Sequence, residues 1–93
     1  MLSTTSNNTV VVNKRLEKYD VDISRAGEKW GNPFEIGRDG TRERVIKMYE
    51  VHIRRSPKLL AALPELVGKR LGCYCKPLAC HGDVLIQLLK ELA

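Results

Sequence analysis

Lys69-Arg-Leu-Gly-Cys-Tyr-Cys-Lys-Pro-Leu-Ala-Cys-His-Gly-Asp83 is the stretch on which the reading of this chain turns. Lys69–Cys75 reads as a short strand leaving a turn at Gly68. Pro77 stops it, because proline has no N–H to give to a ladder. A final helix is expected from about Cys80 to Leu92, with Val84, Leu85, Leu88, Leu89 and Leu92 on one face. Strand, loop and helix together form a corner at the carboxyl edge of the strand.

Moving outward, Ser56-Pro57 opens a short helix with serine as cap and proline in the first turn. Leu59, Leu60 and Leu63 form its apolar stripe, and Pro64 and Gly68 punctuate its end. From Thr41 to about Arg54, Val45, Met48, Tyr49 and Ile53 recur at helical spacing, and Asp39 and Thr41 are both candidate caps. Arg42, Arg44, Lys47 and Arg54 take the opposite face. Upstream lies a loop of turn formers, Gly27, Gly31, Asn32, Pro33, Gly37 and Gly40, which also carries Trp30 and Phe34. Val21–Arg25 alternates as a half-exposed strand. Val10-Val11-Val12, within Thr9–Lys14, is a β-branched run that predicts a strand buried on both faces. Residues 1–8 are small and polar and read as a disordered tail. The order predicts one domain over residues 9–93, of class α/β or α+β, in which a small sheet of about three strands is packed by about three helices.

Ninety-three residues leave room for one core. The 16 Lys+Arg against 11 Asp+Glu give a net charge of +5, which favours anionic partners such as nucleotides, nucleic acid or an acidic protein. The interleaved aromatics of a single-strand binder are missing from the sequence. No apolar run is long enough to span a membrane, and the N-terminus lacks the pattern of a secretory signal. Three cysteines packed into residues 73–80 do not form a disulfide framework, which points to a reducing, cytoplasmic compartment.

The spacing Cys-x-Cys-x4-Cys-His carries the chemistry. Alternation puts Cys73 and Cys75 on one face of a strand, and the loop brings back Cys80 and His81 at the start of the last helix. Cys73, Cys75, Cys80 and His81 are four soft or borderline donors, and they suit a tetrahedral zinc site. The first pair is closer than the usual Cys-x2–4-Cys knuckle, and adjacent Cys80 and His81 point in different directions; His52 is a substitute donor. A second reading is a reactive or anion-binding corner. There Cys80 is a helix-terminus thiolate, His81 a general base or acid, Asp83 its orienting partner, and the backbone at Gly82 an anion contact. A third reading is packing alone, with the cysteines as small buried hydrophobes.

Trp30-Gly-Asn-Pro-Phe34 and Ile36-Gly-Arg-Asp-Gly40 form a second constellation. Arg38 offers a bidentate fork for phosphate or carboxylate and Asn32 both a donor and an acceptor. The alternative is a structural plug, with Trp30 and Phe34 sealing the core. The glycines lack the spacing of a phosphate-binding loop.

Together these two blocks, Trp30…Gly40 and Leu71…Asp83, resemble the domain of unknown function family 4326, found in bacteriophages and bacteria. The resemblance covers roughly residues 10–92. It implies a phage or bacterial origin and an intracellular location (host cytoplasm if phage-encoded), and it brings no activity with it. The leading expectation is therefore a small accessory protein whose Cys/His site binds zinc beside a basic, anion-binding cleft. One alternative is a small enzyme acting on a nucleotide-like substrate, with Cys80 or Cys75 as nucleophile, His81 as proton carrier, and Arg38 and Asn32 as clamps. Another is a host-protein or nucleic-acid interaction module that uses the basic helical face.

Overall fold

The computed structural model describes residues 9–24, 28–76 and 78–92, with only the backbone of Leu92. The tail expected over residues 1–8, together with Arg25, Gly27, Pro77 and the side chain of Leu92, lies outside the described residues.

The chain runs β1 (Val10–Asn13), β2 (Val21–Asp22), α1 (Arg42–Arg54), α2 (Pro57–Ala62), a 3-10 turn (Leu63–Leu66), β3 (Arg70–Cys73) and α3 (Gly82–Leu92). This is the expected α+β arrangement of three helices and a three-stranded sheet. The sheet order is β1-β3-β2 and both pairings are parallel. Val11 and Val21 each stand opposite Leu71, and Asn13 stands opposite Cys73. All three strands therefore end at the same edge, and β3 lies in the middle.

Because β1 and β2 flank β3, the link over residues 14–20 has to cross β3. It does so at Gly72, where an added Cβ would meet Tyr19 Cγ at 2.7 Å. Glycine is what allows this close approach. Backbone bonds tie the crossing down: Lys14 N donates to Cys73 O at 3.0 Å and Asp20 N to Arg70 O at 2.8 Å. The opposite face of β3 presents Leu71 and Cys73 to the helices. There α1 contributes Val45, Tyr49 and Ile53, α3 contributes Val84, Leu85, Leu88 and Leu89, and Ile23 and Trp30 close the core. Burying each of these aliphatic side chains stabilises the fold by about 1.5–3 kcal/mol.

Three local expectations change. The valine run is not buried on both faces: β1 is an edge strand, so Val10 is exposed while Val12 is buried. β2 is shorter than Val21–Arg25 because Ser24 turns back on Asp22, its N and Oγ both donating to Oδ1 at 2.9 and 2.6 Å. Of the two candidate caps, Thr41 caps α1, its Oγ1 accepting from Arg44 N at 3.2 Å, whereas Asp39 accepts from Glu35 N. Among the described residues no helix is long and apolar enough to cross a membrane.

Candidate functional site

β3 delivers Cys73 at the carboxyl edge of the sheet, and the chain leaves the strand directly afterwards. Leu78 N donates to Cys75 O at 2.7 Å, and Asn13 Nδ2 donates to Lys76 O at 2.9 Å, which folds the loop over the edge. The loop returns at Cys80, whose backbone N–H donates to Asp83 Oδ2 at 3.1 Å while Asp83 N donates to Cys80 O at 2.9 Å. This reciprocal pair starts α3. Asp83 also accepts from Lys76 Nζ at 3.1 Å. It is exposed, and it serves the helix start and the loop.

Folding brings the three sulfurs of Cys73, Cys75 and Cys80 within 4.8 Å of one another. Such a set can hold a metal ion. Cys73 and Cys80 are buried, whereas Cys75 is half-buried and opens toward solvent. The Cys80 thiol donates to Cys73 Sγ at 2.8 Å, and Gly82 N donates to Cys80 Sγ at 3.4 Å. The hydrogen bond from Cys80 lowers the pKa of Cys73 against the desolvation that raises it, with further help from the N–H groups of Cys75 and Lys76 and the Lys76 charge. The same bond, together with burial, raises that of Cys80. The two thiols are thus pushed in opposite directions, Cys73 toward the thiolate and Cys80 toward the thiol.

His81 stands beside this cluster and touches it at one corner. Its Nε2 lies 2.7 Å from Ile23 O, and since a carbonyl only accepts, Nε2 carries the hydrogen. Nδ1 is left with its lone pair, 3.8 Å from Cys80 Sγ. The ring is buried edge-on against Tyr49, with centroids 4.7 Å apart, and burial lowers its pKa from the ordinary 6.5. His81 is therefore a neutral imidazole at pH 7. His52, on α1, packs against Phe34 and Tyr49 instead.

A cleft of about 230 Å³ joins the two sequence blocks. Its walls include Asn32, Phe34 and Ile36 from the loop, Arg42 from α1, and Cys75, Cys80 and His81 from the corner. Asn32 is already engaged: its Oδ1 accepts from Phe34 N at 2.9 Å and its Nδ2 donates to Val45 O at 3.3 Å. Arg38 does not line the cleft. Its guanidinium pairs with Asp39 at 2.8 Å and donates to Pro33 O at 3.0 Å, pinning the loop to itself. The arginine at the cleft is Arg42, whose Nη1 donates to Ala79 O at 3.0 Å. Helical spacing put Arg42 on the basic face opposite the apolar stripe; only its position in the first turn of α1, next to the glycine loop, hinted at a place in the cleft. Gly82 is buried, and a Cβ there would meet Ile23 and Val11, so its space is taken by packing.

The model of the domain of unknown function DUF4326 matches residues 7–91. Among curated proteins, the chain is 41% identical over 87 residues to the "Uncharacterized 12.4 kDa protein in nrdA-td intergenic region" of Enterobacteria phage T4, covering 88% of this chain and 78% of the relative. It is also 41% identical over 70 residues to "Uncharacterized protein R718" of Acanthamoeba polyphaga mimivirus. That match covers 67% of this chain and 53% of the relative. No solved structure matches.

Proposed function

The chain belongs to the family of the domain of unknown function DUF4326, and from the corner that its fold builds we propose that it binds a zinc ion through Cys73, Cys75 and Cys80. The convergence of three sulfurs within 4.8 Å, from two ends of a loop, carries this reading. Thiolates select zinc over hard cations, and the group spans the size of one ion rather than of a multi-iron cluster. Zinc–sulfur bonds of about 2.3 Å place tetrahedral sulfurs about 3.8 Å apart. Cys73 and Cys80, 2.8 Å apart, would have to separate by about 1 Å and give up the thiol proton to hold such an ion.

Cys75, Cys80 and Arg42 all line the cleft, so an ion held by the three sulfurs would take its fourth ligand either from there, as water or a small anion, or from His81. His81 supports the corner through its bond to Ile23 O, the kind of outer contact that orients residues around a metal. Its Nδ1 is the nearest protein donor that could close the site. A cysteine nucleophile has less support, because Cys73 does not line the cleft, and of the two cysteines that do, Cys80 is buried and Cys75 only half-exposed. The reducing cytoplasm of an infected cell is the compartment in which free thiolates would be kept available for the ion.

Protein purified under reducing conditions without chelators should carry near-stoichiometric zinc, and stripping it should lower Tm sharply. Cobalt should give an intense sulfur-to-metal charge-transfer band that Cys75→Ser weakens. An unchanged ligand-field spectrum in His81→Asn assigns the fourth position to the cleft, and an altered one assigns it to His81. Metal-free protein of undiminished stability, with no cobalt band, overturns the proposal.

A further inference from the structure

The cysteines use one side of the end of β3, and the other side carries a surface with a different chemistry. Tyr74, the first residue past β3, sets its ring against Lys14 and Arg15 rather than against the thiols, and the residue is 52% exposed. Tyr19, on the link that crosses Gly72, is 41% exposed. Two aromatics far apart in sequence thus come to one patch, just beyond the carboxyl ends of β1 and β3. Open parallel sheets take their ligands at that edge.

Lys14 ties the two rings together. Its Nζ lies 5.4 Å from the Tyr19 centroid and 4.8 Å from that of Tyr74. It is held by Asp22 and by Ser24 Oγ, the latter at 3.2 Å, and its side chain is 11% exposed. Lys14 is thus a fixed cation that positions both rings. Arg15 is different. Its guanidinium lies 4.7 Å from the Tyr74 centroid, it is exposed, and among the described residues it pairs with no carboxylate. An unneutralised guanidinium therefore rests on an exposed ring.

This chemistry narrows the ligand. A cationic ligand would meet Lys14 and Arg15, and a small inorganic anion has no use for two rings. In duplex DNA the base faces are hidden from the tyrosines. A single strand offers both unstacked bases and phosphates, and rings with neighbouring cations are how such strands are held without sequence preference. The net charge of +5 favours the same polyanion.

We propose that Tyr74 and Tyr19 form a stacking platform for the bases of single-stranded nucleic acid, with Arg15 moving from the Tyr74 ring to a backbone phosphate. A base takes the ring face that Arg15 now covers, and the freed guanidinium pairs with the phosphate beside that base. This surface is on the opposite side of β3 from the thiol cluster and stands independently of metal binding.

The test is fluorescence anisotropy of a short labelled oligo(dT) with the intact protein, at low and rising salt. Oligo(rU) and a duplex of equal length serve as comparisons. Expected is binding of the single strand that weakens with salt, with affinity reduced about tenfold by Tyr74→Ala and retained by Tyr74→Phe. Arg15→Gln should lower the salt slope by about one phosphate contact. Because both side chains are exposed, unchanged Tm in each variant confirms that it is folded. Oligo(dT) and oligo(rU) binding alike supports backbone-and-base recognition of either nucleic acid, and a preference for one identifies it as the ligand. No binding of any single strand at low salt overturns the proposal, as does a folded Tyr74→Ala that binds like the wild type or an equal affinity for duplex.

Discussion

A methyl group added at Gly82 would meet Ile23 Cδ1 and Val11 Cγ2, each at 2.8 Å. Helix propensity alone favours alanine over glycine by up to about 1 kcal/mol. Overpacking costs about 1–3 kcal/mol, and the short Val11 side chain has little freedom to yield. Packing wins, so Gly82→Ala should destabilise the protein by about 1–2 kcal/mol in urea unfolding; a stabilised variant would refute the close approach. His81 makes a prediction about pH. Its imidazole is held below the ordinary 6.5 chiefly by burial, while the bond to the Ile23 carbonyl, the nearby Trp30 backbone and the Asp83 charge act the other way. The unfolded chain therefore binds a proton on this residue before the folded one does, and stability rises with pH in that range. The contribution is complete above the unfolded value near 6.5 and is lost as pH falls from there through the folded value. Tm should thus drop below pH 6.5 more steeply in the wild type than in His81→Gln, and parallel profiles would exclude the effect. Asp22 acts in a lower window: despite desolvation, bonds from Lys14 and Ser24 hold its carboxyl at about 2, so its contribution is lost between 3.8 and about 2. Cys-His adjacency in the sequence already suggested diverging side chains. It could not say that the Ile23 carbonyl waits for Nε2, because that partner is 58 positions away.

Among the elements, α1 was readable from its periodic apolar face, although its cap stayed open between Asp39 and Thr41 until the structure chose Thr41. Its cap can be tested directly: Thr41→Ala removes the acceptor for Arg44 N and should cost about 1 kcal/mol. The urea midpoint should fall while the slope stays constant, and an unchanged midpoint would show that water serves the N-terminus equally well. α3 followed its leucine spacing. The Trp30–Gly40 loop was found as a neighbour of the cysteine corner, but its arginines were assigned by chemistry rather than by direction. Arg38 is spent on Asp39 and Pro33, while Arg42 reaches Ala79 at the cleft. Which way an arginine points depends on a tertiary partner, and no periodicity encodes that. The same limit applies to Tyr19 and Tyr74. The sequence shows two scattered tyrosines, and only the crossing link makes them neighbours.

For the whole molecule, the readable part was the inventory and the hidden part was the pairing. Three strands and three helices followed from patterns a few residues long. The parallel order β1-β3-β2 depends on contacts such as Val12 with Gly72 and could not be read locally. That order also governs how the molecule comes into being. The middle strand of the sheet is the last one the ribosome makes. At about 5–20 residues per second, the roughly sixty positions from Val12 to Gly72 take about 3–12 seconds to synthesise, and for that time the valines of β1 have no strand to pair with. When β3 emerges it carries Cys73, with Cys75 and Cys80 directly behind it. Closure of the sheet and gathering of the thiols are thus a single late event in the life of the newborn chain.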